Sequence, residues 1–224
     1  MSRKTIRVLI VDDHAVVREG YRALLAKHEG LAVVGEAYDA ASAYQCYKNT
    51  RPDVVIMDIS MPGRGGIDVI EHIREFDSNA RVLVFTMHSG AAYALQAFRA
   101  GAKGYITKSS PPDLLISAVR DVAGGRLAIC PEISEALAYD RVREEKTGLQ
   151  TLSPREFEIF RMILETRSTD EIASALNVSR KTVANYHYEI KSKLGVDSDI
   201  ELLYFGLRHG LVEPVSPPSA ENKS

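Results

Sequence analysis

The sequence predicts two domains: an α/β domain built on a parallel β-sheet, followed by a smaller all-α domain. Up to about residue 124, short runs of β-branched residues alternate with longer amphipathic stretches, which is typical of a parallel sheet covered by helices. After Gly124 and Gly125 these runs stop, and from Thr151 to Gly210 the apolar residues follow a helical spacing. The length of 224 residues is sufficient for two domains.

The first domain, residues 1–125, is predicted to contain five βα units. This count fits a flavodoxin-like, doubly wound five-stranded parallel sheet, in which ligands bind at the carboxyl ends of the strands. The strands are predicted at residues 6–12, 31–36, 54–58, 81–86 and 104–107. The helices are predicted at residues 15–27, 40–48, 67–76, 91–100 and 112–122.

Residues 126–150 are predicted to form a linker that contains a helix. Pro131 stands where this helix would begin, because proline is favoured in the first turn of a helix. Residues 141–148 are polar and are expected to be mobile. The tail, residues 214–224, has three prolines and no apolar periodicity, so it is expected to be disordered.

The second domain, residues 151–213, carries three helix starts of the same kind. At each start a serine is followed three residues later by a glutamate, and the two cap each other's backbone N–H groups. Gly195 and Gly210 stand where two helices are expected to stop, because glycine tolerates a left-handed backbone. The capping pairs are Ser153 with Glu156, Ser168 with Glu171, and Ser198 with Glu201.

Composition excludes several classes of protein. With 45% hydrophobic and 26% charged residues the chain is neither fibrous nor wholly disordered. No apolar run approaches the ~20 residues that cross a bilayer, and the stretch 8–11 is too short for a signal peptide. We therefore expect a cytoplasmic protein with no membrane partner, in which Cys46 and Cys130 are reduced thiols. Since the net charge is −2, a nucleic-acid surface would have to be a local cluster of basic residues.

Chemically distinctive side chains stand at the carboxyl ends of four predicted strands. Asp12 and Asp13 follow the first strand, Asp58 ends the third, Thr86 ends the fourth and Lys108 follows the fifth. Any one of these could simply be a polar residue that ends a strand. Five together, at the edge where such sheets bind ligands, indicate a site. Its crowded carboxylates need a hard cation, and oxygen ligands suit Mg²⁺.

These residue types fit phosphoryl transfer to a carboxylate. The Asp58 carboxylate can attack phosphorus when nearby cations neutralise the transferring group. Asp12 and Asp13 would hold Mg²⁺, while Lys108 and Thr86 would bind phosphoryl oxygens. His14 is adjacent to the acidic pair, but a hard-cation site has little use for an imidazole ligand.

Three segments then resemble the signature segments of two-component receiver domains. They are Val-Asp-Asp-His at 11–14, Met-Asp-Ile-Ser-Met-Pro-Gly at 57–63 and Gly-Tyr-Ile-Thr-Lys at 104–108. The resemblance implies that Asp58 accepts phosphate from a sensor histidine kinase. It also implies that Thr86 and Tyr105 form a switch leading to the face made by the fourth helix, the fifth strand and the fifth helix, although Tyr105 could be a simple packing aromatic. The implied Mg²⁺ ligands are Asp12, Asp13, Asp58 and the backbone carbonyl of Ser60.

In the second domain the sequence predicts a helix-turn-helix. It consists of residues 169–176, a tight turn at Asn177-Val178, and residues 179–194. Its second helix has the size that enters the DNA major groove. Residues 179–195 hold four Lys or Arg against one Glu, a modest basic cluster that could also be a solvated helix face. The residues expected to contact DNA are Ser179, Arg180, Lys181, Thr182, Asn185, Tyr186, Tyr188, Lys191 and Lys193.

This domain resembles the LuxR-type helix-turn-helix of NarL/FixJ response regulators. The resemblance rests on segments 152–156, 170–173, 178–183 and 193–196, with departures at Thr166, Asp170 and Ala184 that should weaken backbone affinity and alter sequence preference. It implies double-stranded DNA as partner, a homodimer when phosphorylated, a dimer surface around residues 200–207, and partial occlusion of the recognition helix by the unphosphorylated receiver.

The sequence thus predicts a transcriptional response regulator and not an enzyme. A phosphatase of the haloacid-dehalogenase type would need a second aspartate two residues after Asp58, where Ser60 stands. A pheromone-sensing LuxR regulator would lack the acidic set and Lys108. A regulator of the same architecture that binds DNA without phosphorylation stays open as the alternative.

Overall fold

The computed structural model describes residues 5–61, 65–142 and 148–212. In the first domain a parallel sheet has the strand order β2-β1-β3-β4-β5-β6. Its strands are β1 (Ile6–Val11), β2 (Leu31–Ala37), β3 (Val54–Met57), β4 (Val82–Thr86), β5 (Gly104–Thr107) and β6 (Ala128–Ile129). Its helices are α1 (Ala15–Ala26), α2 (Ala40–Thr50), α3 (Gly66–Phe76), α4 (Ala91–Ala100) and α5 (Pro112–Ala123).

The central strands form the core of this domain. Every residue of β3, β4 and β5 is buried, as expected when helices cover a parallel sheet. The core strands place their carboxyl ends side by side, because β1, β3, β4 and β5 are consecutive neighbours in the sheet. The strand-end residues predicted from the sequence therefore meet at one edge.

The sheet has a sixth strand that the sequence analysis missed. The two residues of β6 pair with Gly104 and Tyr105 of β5, inside the segment predicted to be linker. A strand of two residues is too short to show a period of two, so no pattern signals it. The other differences are small: β1 and β3 stop one residue before the predicted end, which leaves Asp12 and Asp58 just beyond their strands.

The linker helix and the second domain follow the predicted pattern. Proline begins the linker helix, and all three predicted capping boxes form. Gly195 and Gly210 both have positive φ angles, 68° and 66°. The remaining helices are α6 (Pro131–Val142), α7 (Pro154–Leu164), α8 (Thr169–Leu176), α9 (Arg180–Leu194) and α10 (Asp199–Arg208), with a 3₁₀ turn at Gly148–Thr151.

Two predictions concern segments outside the described residues. These are the disordered tail, residues 214–224, and most of the mobile segment 141–148, of which 143–147 are not described. Within the described ranges, none of the helices combines the length and the apolar character that crossing a membrane requires. Cys46 and Cys130 are free thiols, as expected.

The two domains meet where α3 and α4 of the first domain pack against α7 and the 3₁₀ turn of the second. The ring of Tyr93 in α4 meets Phe157 in α7 edge to face, with centroids 5.4 Å apart. Gln96 donates a hydrogen bond of 2.7 Å to the carbonyl oxygen of Leu149 in the turn. This interface leaves α9 outside the main contact between the domains.

Candidate phosphoacceptor site and DNA-binding helix

The centre of the acidic site is a lysine between two buried aspartates. The Nζ atom of Lys108 lies 2.7 Å from Oδ2 of Asp12 and 2.5 Å from Oδ2 of Asp58. Both aspartates are only 2% exposed. Burial lowers the pKa of Lys108, but the hydrogen bonds and charges of the two carboxylates outweigh this effect, and its pKa is raised. The ammonium group therefore stays charged and offsets the repulsion between the carboxylates.

Asp13 lies at the more exposed side of this site. Its Oδ1 atom is buried without a hydrogen bond and lies 2.9 Å from Nδ1 of His14. Ligand atoms of Asp12, Asp13 and His14 all lie within 4.8 Å of one another. This Asp13 oxygen and the Asp12 carboxylate are hard oxygen donors of the kind that Mg²⁺ prefers, so the residues fit this ion. The structure also brings the His14 ring to the pair, although the sequence analysis disfavoured it as a ligand.

Thr86 reaches the acidic site through Ser60. The Oγ atoms of Thr86 and Ser60 are 3.2 Å apart, and the backbone N–H of Ser60 donates a 3.0 Å hydrogen bond to Oδ1 of Asp58. Thr86 is fully buried. The structure thus brings together Asp58, Ser60 and Thr86, with the threonine hydroxyl held beside the phosphoacceptor candidate.

Tyr105 is fully buried behind this site, on β5. Its hydroxyl donates a 3.0 Å hydrogen bond to the carbonyl oxygen of His88, in the loop between β4 and α4. Burial raises the pKa of this hydroxyl well above its usual value, so it remains a donor. Tyr105 therefore contacts the segment that follows Thr86, which is more than simple packing.

Arg18, which no sequence pattern singled out, also contacts the acidic site. A guanidinium N–H of Arg18 donates a 2.6 Å hydrogen bond to the backbone carbonyl of Asp12, and Nε lies 3.5 Å from a carboxylate oxygen of Glu36. Arg18 lies four residues after His14, one helical turn into α1. This spacing is a signal by which it could have been found.

In the second domain, α9 presents the predicted DNA-contacting face to solvent. Ser179 caps the helix by accepting a 3.1 Å hydrogen bond from the Thr182 N–H. The side chain of Arg180 is 73% exposed and Tyr188 is 74% exposed. Lys181 and Asn185 are also exposed, whereas Thr182, Tyr186 and Lys191 are half-buried.

Several basic residues of α9 have acidic partners within the chain. Nζ of Lys193 lies 2.6 Å from a carboxylate oxygen of Glu156, which is only 3% exposed. Lys191 lies 3.3 Å from the Asp199 carboxylate. Lys193, expected from the sequence to bind DNA phosphates, thus also compensates a buried carboxylate at the start of α7.

Arg180, at the first position of α9, pairs with Asp170 of α8 at 2.8 Å. Asp170 is one of the departures from the LuxR-type pattern, and the structure shows which charge it offsets. Both side chains are mostly exposed, so solvent screens this ion pair.

The receiver lies beside one end of α9 without covering its exposed side chains. Residues of α2 and α3 form a cleft of about 450 Å³ with Ala175 and Asn177, at the turn between α8 and α9. Two acidic residues of the receiver, Asp39 and Asp68, line this cleft. Among the described residues, the receiver thus approaches the end of α8 and the turn before α9.

At the carboxyl edge of a doubly wound sheet, a buried aspartate is paired with a lysine. The domain that contains this sheet is joined to a domain with an exposed recognition helix. Together the two domains define a signalling protein that controls DNA binding. Comparison with known proteins agrees with this class. Residues 8–120 match the model of the response regulator receiver domain, and residues 150–205 match the model of the LuxR family of bacterial regulatory proteins.

Similar proteins extend over nearly the whole chain. The response regulator UvrY of Escherichia coli (strain K12) is 38% identical over 208 residues, 92% of this chain and 95% of UvrY. GacA of Pseudomonas aeruginosa is 36% identical over 94% of this chain and 100% of GacA. The chain belongs to the two-component response regulators that join a receiver domain to a LuxR-family DNA-binding domain.

Solved structures support the same assignment. The Salmonella enterica RcsB structure bound to the rprA promoter with the phosphomimetic BeF3⁻ is similar with a TM-score of 0.71 and 29% identity, over 90% of this chain and 98% of that one. A LuxR-family response regulator from Aurantimonas is 52% identical with a TM-score of 0.61, over 62% of this chain and 99% of that one.

We expect Lys181→Ala and Lys193→Ala to affect DNA binding differently. Lys181 is exposed in the first turn of α9, the end of a recognition helix that reads bases. Loss of its side chain should therefore weaken the binding free energy for the operator by ~1 to 3 kcal/mol and reduce the preference for operator over random DNA. Lys193 is near the far end, so its loss should weaken all sequences alike. Because it also pairs with the buried carboxylate of Glu156, this variant should in addition be less stable than wild type.

A binding titration at several salt concentrations, with thermal melts of both variants, checks this pair of expectations. The assigned orientation of α9 on DNA would be reversed if Lys181→Ala lost affinity equally for operator and random DNA while Lys193→Ala lost affinity mainly for the operator.

Proposed function

We propose that this chain is a DNA-binding transcriptional response regulator in which a sensor histidine kinase phosphorylates Asp58. The observation that carries the proposal is the buried position of Asp58, 2.5 Å from Lys108 and linked through Ser60 to Thr86. The Lys108 ammonium, which Asp58 shares with Asp12, and the Thr86 hydroxyl, which is linked to Asp58 through Ser60, thus lie near the carboxylate, and both groups suit the transfer of an anionic group.

The residues of the site have distinct roles in this transfer. A carboxylate oxygen of Asp58 attacks the phosphorus of the kinase phosphohistidine, the new P–O bond forms, and the P–N bond to the histidine breaks. Lys108, charged because of its raised pKa, moves from the carboxylate pair to a phosphoryl oxygen. The Thr86 hydroxyl exchanges Ser60 for a second phosphoryl oxygen.

Mg²⁺ is the cofactor that we propose for this site. Asp12, Asp13, Asp58 and the backbone carbonyl of Ser60 would hold it. When bound, it would neutralise charge on the transferring group.

We also propose that the chain acts as a switch and not as an enzyme. A phosphatase built on the same aspartyl chemistry would place an acid–base carboxylate two residues after Asp58. Ser60 stands there, and its hydroxyl contacts Thr86. At this position a hydroxyl therefore stands in place of the carboxylate that such a phosphatase uses for hydrolysis.

The proposed output is binding of double-stranded DNA by a homodimer that phosphorylation favours. The exposed face of α9 would enter the major groove. Apolar side chains on α10 are exposed, Ile200 by 69% and Tyr204 by 65%, with Leu203 at 40%. Such a group of exposed apolar side chains on one helix suits contact with a second copy. Among the relatives, RcsB has been solved as dimers bound to DNA.

Sedimentation velocity with a small-molecule phosphodonor and Mg²⁺ tests the dimer. We expect the phosphorylated protein to dimerise and Leu203→Asp to keep it monomeric, because a charge would be buried in the contact. A charge substitution at exposed Lys103, in the receiver, is the control. If the phosphorylated protein is monomeric at concentrations where it binds its operator, the proposed dimer is wrong.

A further inference from the structure

A cavity of about 230 Å³ opens where three parts of the chain meet. Its walls come from α4 of the receiver, from the linker helix α6, and from the 3₁₀ turn and the end of α10 in the DNA-binding domain. The described residues that line it all lie outside the phosphoacceptor site and outside α9. The volume is below the ~300 to 1,000 Å³ of sites for drug-sized ligands, so an occupant would be a small molecule.

A buried amide oxygen without a partner marks the wall that α4 forms. Gln96 is only 2% exposed and lines the cavity. Its Nε2 atom donates a 2.7 Å hydrogen bond to the carbonyl oxygen of Leu149 and lies 3.5 Å from that of Leu152. Because both carbonyls can only accept, the amide cannot be turned over, and Oε1 is the atom that needs a donor.

Oε1 of Gln96 finds no such donor within the part of the chain that the structure describes. Buried polar atoms in folded proteins almost always have a hydrogen-bond partner, since leaving one unpaired is costly. An occupant of the cavity that carries an N–H group would satisfy this oxygen.

Two opposite charges at the cavity are also unpaired. Arg208, in the last turn of α10, is exposed, and Asp140 of α6 is half-buried. Neither side chain forms an ion pair or a hydrogen bond with the other, or with any other residue in 5–61, 65–142 or 148–212. A ligand with one positive and one negative group would pair with both.

Much of the remaining lining is apolar. Alanine side chains keep the cavity open because they are small, and leucine side chains add apolar surface. An apolar group of a ligand would gain free energy by leaving water for this surface. The residues that supply it are Ala91, Ala92, Leu95, Ala136 and Leu149.

We propose that this cavity binds a free α-amino acid with an apolar side chain. The ligand ammonium donates to Oε1 of Gln96, and Asp140 supplies the opposite charge; an ammonium has three donors and no acceptor, which suits both partners. The ligand carboxylate pairs with Arg208, and its side chain contacts the apolar lining. The site uses no residue of the phosphoacceptor site, so it stands independently of the proposed function.

Calorimetric titration and thermal melts of the full chain test this site, with L-valine, L-leucine and L-methionine as probes. We expect saturable binding at one site per chain and a higher melting temperature, because the ligand binds the folded protein. L-Leucinamide lacks the carboxylate of L-leucine, and isocaproate lacks its ammonium. Each analogue should bind about tenfold more weakly than L-leucine, because it loses one charge-assisted interaction.

Two substitutions assign each charge of the ligand to its partner. Arg208→Met should weaken L-leucine binding about tenfold and remove the preference for L-leucine over L-leucinamide. Asp140→Asn should weaken it similarly and reduce the preference over isocaproate. Arg120→Met is the matched control, because Arg120 is also an exposed arginine in the last turn of a helix, α5, but lies outside the cavity. It should bind L-leucine as wild type does.

Three results would overturn the proposal. The first is that none of the three amino acids binds saturably at millimolar concentrations, in which case the cavity holds water alone. The second is that L-leucine binds equally well to wild type, Arg208→Met and Asp140→Asn, which would place the binding elsewhere. The third is that isocaproate binds as tightly as L-leucine, which would leave Gln96 and Asp140 without a role in recognition.

Discussion

Asp58→Asn should abolish the acid-labile phosphate that the protein gains from a phosphodonor and Mg²⁺. Asp58 is the buried carboxylate that contacts both Lys108 and the Ser60 N–H. An amide cannot form the acyl phosphate, so the expected effect is complete loss. Incorporation is followed with radiolabelled phosphodonor and by the shift in intact mass.

Asp53→Asn is the matched control for this experiment. Asp53 directly precedes β3 and accepts a hydrogen bond from the Arg7 N–H, at the opposite end of the strand that Asp58 follows. This variant should incorporate phosphate at the wild-type rate.

Asp13→Ala should keep the nucleophile but lose the Mg²⁺ dependence and most of the rate of phosphate incorporation. If Asp58→Asn still incorporates phosphate, another residue is the phosphoacceptor.

Lys108→Met should destabilise the receiver strongly in the absence of Mg²⁺. The Asp12 and Asp58 side chains are each 3% exposed and share the Lys108 ammonium. Removing the cation leaves two buried carboxylates uncompensated, which costs about 3 to 5 kcal/mol. Added Mg²⁺ should recover part of this loss, because a cation returns to the carboxylates. Thermal melts in EDTA and in Mg²⁺ measure both effects.

Lys103→Met provides the control for the lysine substitution. Lys103 directly precedes β5, and Lys108 directly follows it. Because the Lys103 side chain is exposed, the melting temperature of Lys103→Met should differ little from that of wild type. The double variant with Asp58→Asn should be more stable than Lys108→Met, since one of the repelling charges is gone. Equal melting temperatures for Lys108→Met and wild type in EDTA would mean that the buried carboxylates do not depend on this ammonium.

Much of the acidic site could be predicted from the sequence because its residues follow local patterns. Buried strands are visible as apolar runs, and a parallel sheet gathers their carboxyl ends at one edge, so Asp12, Asp58 and Lys108 were expected to meet. The capping boxes are similarly local, since each serine and its glutamate are three residues apart. Strand β6, at two residues, was too short to recognise.

The interface between the domains could not be predicted in this way. Tyr93 and Phe157 are 64 positions apart, and no periodicity relates one helix face to another in a different domain. The partner of Lys193 is likewise 37 residues away. A basic residue near the end of a recognition helix looks like a phosphate contact until the buried Glu156 beside it is seen.

The affinity of the full chain for its operator, with and without phosphodonor plus Mg²⁺, tests most directly whether Asp58 controls DNA binding. The operator is selected from a random DNA pool by the protein itself, and Asp58→Asn is measured in parallel. Phosphodonor should raise wild-type affinity by about tenfold or more and leave Asp58→Asn unchanged. Equal affinity of the wild type with and without phosphodonor, or an equal rise in Asp58→Asn, would contradict control through Asp58.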